Sequence, residues 1–186
     1  RCYTQSRSPL VAMKKPPTKS PWITYIKERF SVPVHLILVS GLSATGVASS
    51  GQWRWPAFVV SFVAFMVFFF QLRLMDELKD EKKDRVAHPR RPLPRGLLST
   101  AQVRRAIQAI HLLMLAFGLL LAALPDTRMG GLFWLGIAAY QWLMFKEFYV
   151  GERLADWPFV YAFTHQISLL PMIAFPAVLA NPEHPE

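Results

Sequence analysis

The sequence predicts an all-α fold, a polytopic membrane bundle of about five transmembrane helices. Three observations point there. Of the 186 residues, 53% are hydrophobic and 18% charged, against about 45–50% and about 25% in soluble domains. Several stretches reach the ~18 nearly uncharged apolar residues at which a helix can cross a bilayer. The period-two alternation of a β-barrel is absent, and lipid admits only helices or closed barrels. The same composition excludes intrinsic disorder, a collagen-like fibre and a disulfide-stapled secreted domain. The one cysteine, Cys2, can form no internal disulfide and has no metal-site spacing.

The elements follow in order. A first span from Val32 to Ser49 carries Gly41, Ala44, Gly46 and Ala48, small residues that suit close helix packing. The second, Ala57 to Leu72, is rich in Phe and interrupted by Ser61 and Gln71. The third runs from Ala106 to Leu124 and is stopped by Pro125; the fourth runs from Gly130 to Phe145. The fifth, Phe159 to Ala180, contains Pro171 and Pro176. Trp53, Trp55, Trp134, Trp142 and Trp157 lie near the span ends, as an aromatic belt requires.

Charge sets the orientation. Residues 1–30 hold seven Lys or Arg and residues 73–105 hold ten, while Arg54 and Arg128 stand alone in the segments on the other side. The N-terminus and the 73–105 loop are therefore expected in the cytoplasm. The expected organisation is a cytoplasmic segment 1–30, a membrane domain 31–180 with a cytoplasmic Asp-rich loop 73–105, and a tail 181–186. Residues 1–12 precede the first Met, Met13, and are read as upstream sequence translated in frame. The net charge of +9 fits this topology and the attraction of anionic headgroups. Nucleic-acid binding is not expected, because the basic residues are divided between two juxtamembrane segments without a recognition fold.

The chemistry-bearing stretch is Arg73 to Gly96. Asp76, Asp80 and Asp84 recur every four residues, so each carboxylate turns only about 40° from the last and all three are expected to stay on one face. They sit at the C-terminal end of the second helix, where the helix dipole disfavours acids. Hard oxygen ligands so placed suit Mg²⁺, which is commonly held by one or two carboxylates plus substrate phosphates. Arg73, Arg85, Arg90, Arg91 and Arg95 surround them and can bind a diphosphate as bidentate forks. Pro89, Pro92 and Pro94 stiffen the loop that carries the last three of these arginines. The plain alternative is a solvated helix end in which Lys79, Lys82 and Lys83 pair with the acids.

The run Asp76-Glu-Leu-Lys-Asp80-Glu-Lys-Lys-Asp84, followed by Arg91-Pro-Leu-Pro-Arg-Gly96, resembles the first aspartate-rich motif of the UbiA-type intramembrane prenyltransferases. In that family the motif follows the second transmembrane helix. Lys146-Glu147-Phe148-Tyr149 and Tyr161-Ala-Phe-Thr-His165 are similar to segments flanking the fifth helix in one bacterial branch, so the resemblance covers most of residues 25–178. Two departures stand out. Asp76 and Glu77 replace the usual Asn-Asp, and the nine helices and second aspartate-rich motif of typical members reduce here to an N-terminal five-helix portion.

The resemblance implies Mg²⁺-dependent transfer of a polyprenyl group from its allylic diphosphate to an aromatic acceptor, in the bacterial inner membrane. It implies that Asp76, Asp80 and Asp84 bind the Mg²⁺–diphosphate and that Arg73, Arg91 and Lys146 contact phosphate oxygens. Aromatic faces can stabilise an allylic cation by about 0.5–2 kcal/mol each. Phe68, Phe69, Phe70, Trp142, Phe145 and Phe148 are the candidates, set against a role as packing bulk. Lys146 reads equally as a snorkelling anchor. His165 reads as an acceptor-side base or an interhelical hydrogen bond; His111 has the weaker case, and His35 carries no motif. Other classes are a non-catalytic membrane protein that binds a lipid diphosphate or assembles with other helices, a CDP-alcohol transferase, whose Asp-Gly and Ala-Arg elements are missing, and a transporter.

Overall fold

Nine α-helices and no strand occupy residues 20–181, the part of the chain that the computed structural model describes. The expectations placed on residues 1–19 and 182–186 lie outside the described residues. The helices are α1 (Pro21–Arg29), α2 (Val32–Ser49), α3 (Trp55–Lys79), α4 (Glu81–Ala87), α5 (Thr100–Ala123), α6 (Arg128–Phe145), α7 (Gly151–Ala155), α8 (Pro158–Gln166) and α9 (Leu169–Ala180).

The helix starts follow local rules. Pro21, Pro33, Pro56 and Pro158 sit in the first turns of α1, α2, α3 and α8, where a missing N–H costs nothing. α5 opens on a capping box: the Ser99 hydroxyl accepts the Gln102 N–H, and the Gln102 side chain accepts the Ser99 N–H at 2.8 Å. α3 is longer than its apolar stretch. It continues through Asp76 to Lys79 as 25 residues, so the acids are carried on the helix itself.

Among the described residues, four stretches are long and apolar enough to cross a membrane: Val32–Ser49, Trp55–Lys79, Thr100–Ala123 and Pro158–Ala180. This is the character of an integral membrane protein. The fourth expected span corresponds to α6, also 18 residues long, but Arg128, Tyr140, Gln141 and three glycines dilute its apolar content. The last stretch is two helices. Pro171 has no N–H for the Ile167 carbonyl and its ring crowds that oxygen, so the chain breaks at Ile167 and Ser168 between α8 and α9.

Two apolar clusters hold the bundle. The larger joins α2, α3, α5, α6 and α9 through Val39, Val47, Phe65, Phe68, Met114, Trp134, Met172 and Phe175. Trp134, expected near an interface, is instead buried here, and its Nε1 donates to the Met114 carbonyl at 2.9 Å. Of the small residues on α2, Gly46 is buried against the ring of Pro176, whereas Gly41 faces open space. The smaller cluster lies at the end where the acids sit: Tyr25 of α1 packs with Leu74 and Met75 of α3, Leu93 and Leu98 of the loop, and Val103 and Ile107 of α5. Ile37, Val59, Val63, Leu112, Leu119 and Leu120 are exposed on the long helices, an outward apolar surface that hydrocarbon would cover.

Candidate functional site

The end of α3 divides its acids between two faces. In a continuous helix Asp84 lies about 80° from Asp76 but only about 20° from Glu77. The structure follows that geometry. Asp76 and Asp80 are exposed, whereas Glu77 and Asp84 are buried at 1% and 3% relative exposure. The expectation that all three aspartates share one face is therefore corrected: the four-residue spacing aligns neighbours, but the steps of about 40° accumulate and carry Asp84 round to the buried side.

On the buried side each carboxylate meets arginine. Arg29 Nε donates to Glu77 Oε2 at 2.8 Å, and Arg73 Nη2 stands 3.6 Å from the same oxygen. Arg91 Nη1 donates to both oxygens of Asp84, at 2.5 and 2.7 Å. Buried carboxylates need such partners, since desolvating a charge costs several kcal/mol. The Glu77 Oε1 and Tyr25 hydroxyl atoms are buried without a hydrogen-bond partner among the described residues. Burial, followed by the neighbouring charge of Glu77, raises the Tyr25 phenol above its ordinary range. The folded chain therefore holds this proton more tightly than the unfolded chain. Its contribution is complete below the ordinary tyrosine value of about 10 and is lost as pH rises above it. Alkaline titration should release α1 in that window, and Tyr25→Phe should remove the dependence when helix content and trypsin cleavage at Lys27 are followed.

On the exposed side, Arg73, Lys79, Asp80 and His165 lie close enough to act on the charge of Asp76. Lys79 Nζ forms an ion pair with Glu147 Oε1 at 3.0 Å and stands 5.9 Å from the Tyr161 ring. His165 stacks on Tyr161 with centroids 4.1 Å apart, and its Nδ1 lies 2.8 Å from the Tyr161 carbonyl oxygen. A carbonyl only accepts, so in this contact Nδ1 is the donor. Glu147, Phe148 and Tyr149 take φ of 49°, 53° and 59°. Three successive non-glycine residues in this left-handed region cost roughly 1–2 kcal/mol apiece, and the Lys79–Glu147 pair ties that strained turn to α3.

Of the residues expected to contact phosphate, Arg73 lies between the two faces, Arg91 is held by Asp84, and Lys146 is exposed over the rings of Trp142 and Phe145 at 5.6 and 5.3 Å. The candidate aromatics scatter. Phe68 is buried in the main core, Phe70 packs edge-on against Phe30, Trp142 stacks on His111 at 4.7 Å, and Phe148 meets Tyr140 edge-on. Phe69 touches Phe68 and faces the His35 ring.

The fit to Mg²⁺ is to two carboxylates. Among the described residues, no group of three or more His, Cys, Asp or Glu is placed to hold a metal ion. Asp76 and Asp80 are free of ion pairs there, whereas both oxygens of Asp84 are taken by Arg91. One or two carboxylates completed by substrate phosphates is an ordinary Mg²⁺ arrangement.

Sequence reasoning missed the Arg29–Glu77–Tyr25 cluster. The available signal was Glu77 itself, at the only acidic position of α3's end that shares a face with buried Leu74. No protein-family model, no curated protein and no solved structure matches this chain.

Proposed function

We propose that the protein is a UbiA-type prenyltransferase of the bacterial inner membrane, with its N-terminus in the cytoplasm. It would move a polyprenyl group from an allylic polyprenyl diphosphate to an aromatic acceptor. The observation that carries the proposal is the exposed pair Asp76 and Asp80 at the basic end of a membrane-length helix, with Arg73 and Lys79 acting on Asp76.

Breaking the allylic C–O bond leaves pyrophosphate with concentrated negative charge. Asp76 and Asp80 would hold Mg²⁺, and Asp84 would join them only by giving up Arg91. The ion supplies charge neutralisation on the leaving diphosphate. Arg73 stands on the same turn of helix and supplies fixed positive charge where negative charge develops. Lys146, on its aromatic platform, would approach from α6. His165, close enough to act on the charge of Asp76, would serve as the acceptor-side base.

The test is transfer by the full chain, reconstituted in nanodiscs with a labelled polyprenyl diphosphate and phenolic acceptors, with Mg²⁺ or EDTA. Transfer with Mg²⁺ is expected to fall at least about a hundredfold in EDTA and in Asp80→Ala, the scale of losing several kcal/mol of charge stabilisation. Transfer by Asp80→Ala at the unsubstituted rate would overturn the metal assignment. The second reading, a non-catalytic chain that binds a lipid diphosphate, is favoured by the engagement of Asp84 with Arg91. It predicts diphosphate binding without transfer under every condition.

A further inference from the structure

A pocket of about 400 Å³ opens between the C-terminal turn of α1 and the loop after α4, lined by Glu28, Arg29, His88, Arg90, Arg91 and neighbouring prolines. We infer that this pocket binds a phosphate group at the membrane surface, separately from the Asp76–Asp80 face. Neither of those aspartates lines it.

The argument is the way its cations are held. Arg29 spends its Nε on buried Glu77, and Arg91 spends its Nη1 on buried Asp84. A guanidinium has five N–H donors in a fixed fork, so each anchored arginine keeps further donors for the pocket. The anchoring carboxylates sit behind the wall, at 1% and 3% exposure, and fix the forks before any ligand arrives. Binding then costs little side-chain ordering. Glu28, the one acid in the wall, is drawn off by Arg95 Nη2 at 2.9 Å. Arg95 Nη1 also donates to the Arg90 carbonyl at 3.1 Å, which pins the loop at that residue. The Arg90 side chain has no ion-pair or hydrogen-bond partner among the described residues. Pro89 and Pro92, both in the lining, fix the backbone on either side of Arg90 and Arg91.

Three arginines and a histidine lining one open pocket match the charge and fork chemistry of a phosphate monoester or diphosphate. Arg29 stands three residues before Val32, where the first apolar span begins, so the pocket opens at headgroup depth. A lipid phosphate and a soluble phosphate share this chemistry.

The experiment uses the full chain in EDTA, which removes any contribution from a carboxylate-bound metal and so keeps this inference separate from the transfer reaction. Inorganic phosphate and pyrophosphate are titrated by calorimetry in phosphatidylcholine nanodiscs. Phosphatidic acid is measured by native mass spectrometry of mixed phosphatidylcholine–phosphatidic acid nanodiscs. Arg90→Ala and Arg90→Glu are the variants, since this side chain anchors no buried acid and their unchanged melting would show intact folds. Binding of either probe class that weakens roughly tenfold in Arg90→Ala and further in Arg90→Glu supports the pocket. The class that binds identifies the source, soluble phosphate or lipid headgroup. Equal binding by all three proteins, or no binding of any probe, would overturn it.

Discussion

Glu77→Ala is expected to destabilise the fold by about 3–5 kcal/mol, the cost of removing one partner from a buried ion pair. The Glu77 side chain is fully buried and takes a 2.8 Å hydrogen bond from Arg29. Its loss leaves Arg29 and Arg73 facing each other without an acid between them, in a region closed by Tyr25 and Leu74. The damage should be local first. α1 meets the rest of the chain through the Tyr25 cluster, this pair and the exposed Glu28–Arg95 pair, so it should detach before the membrane helices separate. Thermal unfolding in detergent, with trypsin cleavage at Lys27 as the local readout, checks both parts. Glu77→Gln, which keeps the volume and one acceptor, should lose less than Glu77→Ala. A Glu77→Ala protein that melts with the unsubstituted one and keeps Lys27 protected would show that the pair does not anchor α1.

The second large effect concerns the α5–α6 hairpin. A Cβ placed on Gly131 would lie 2.7 Å from both the Ala122 Cα and the Gly118 carbonyl oxygen. These are backbone atoms of α5 that no rotamer change can move, so the two helices must separate. Gly131→Ala should therefore cost at the upper end of the about 1–3 kcal/mol typical of overpacking, and Gly131→Leu more. Gly136 provides the control, because a Cβ there meets nothing within 4 Å. Gly136→Ala should be neutral or stabilising by up to about 1 kcal/mol, from helix propensity. Detergent melting curves of the three variants decide it, and equal curves for Gly131→Ala and Gly136→Ala would refute the close approach. Small residues matter in this way in membranes because lipid offers no hydrophobic drive for helix association, and close backbone contact supplies the attraction instead.

The sequence by itself determined the helical class, the apolar stretches and the place of the acids at the end of the second long helix. Those features rest on local composition and on the bilayer's demand that every backbone polar group be satisfied within its own segment. Val32 to Ser49 is a helix with those same bounds, and Pro125 ends α5 as its missing N–H requires. Pro171 carried its own warning, and its effect is the break at Ile167 and Ser168.

Tertiary structure decided the rest. Which acids are buried was not legible in the spacing of Asp76, Asp80 and Asp84, because burial depends on what packs over each face. α1 covers the Glu77 side, and the loop bearing Arg91 folds back over Asp84. The ion pair between Lys79 and Glu147, which ties the strained Glu147–Tyr149 turn to the end of α3, likewise joins residues far apart in sequence. A repeat of four residues describes one helix. The partner that neutralises Glu77 comes from a chain segment far away in sequence, Arg29 being 48 residues distant, and only the packed bundle brings the two within reach.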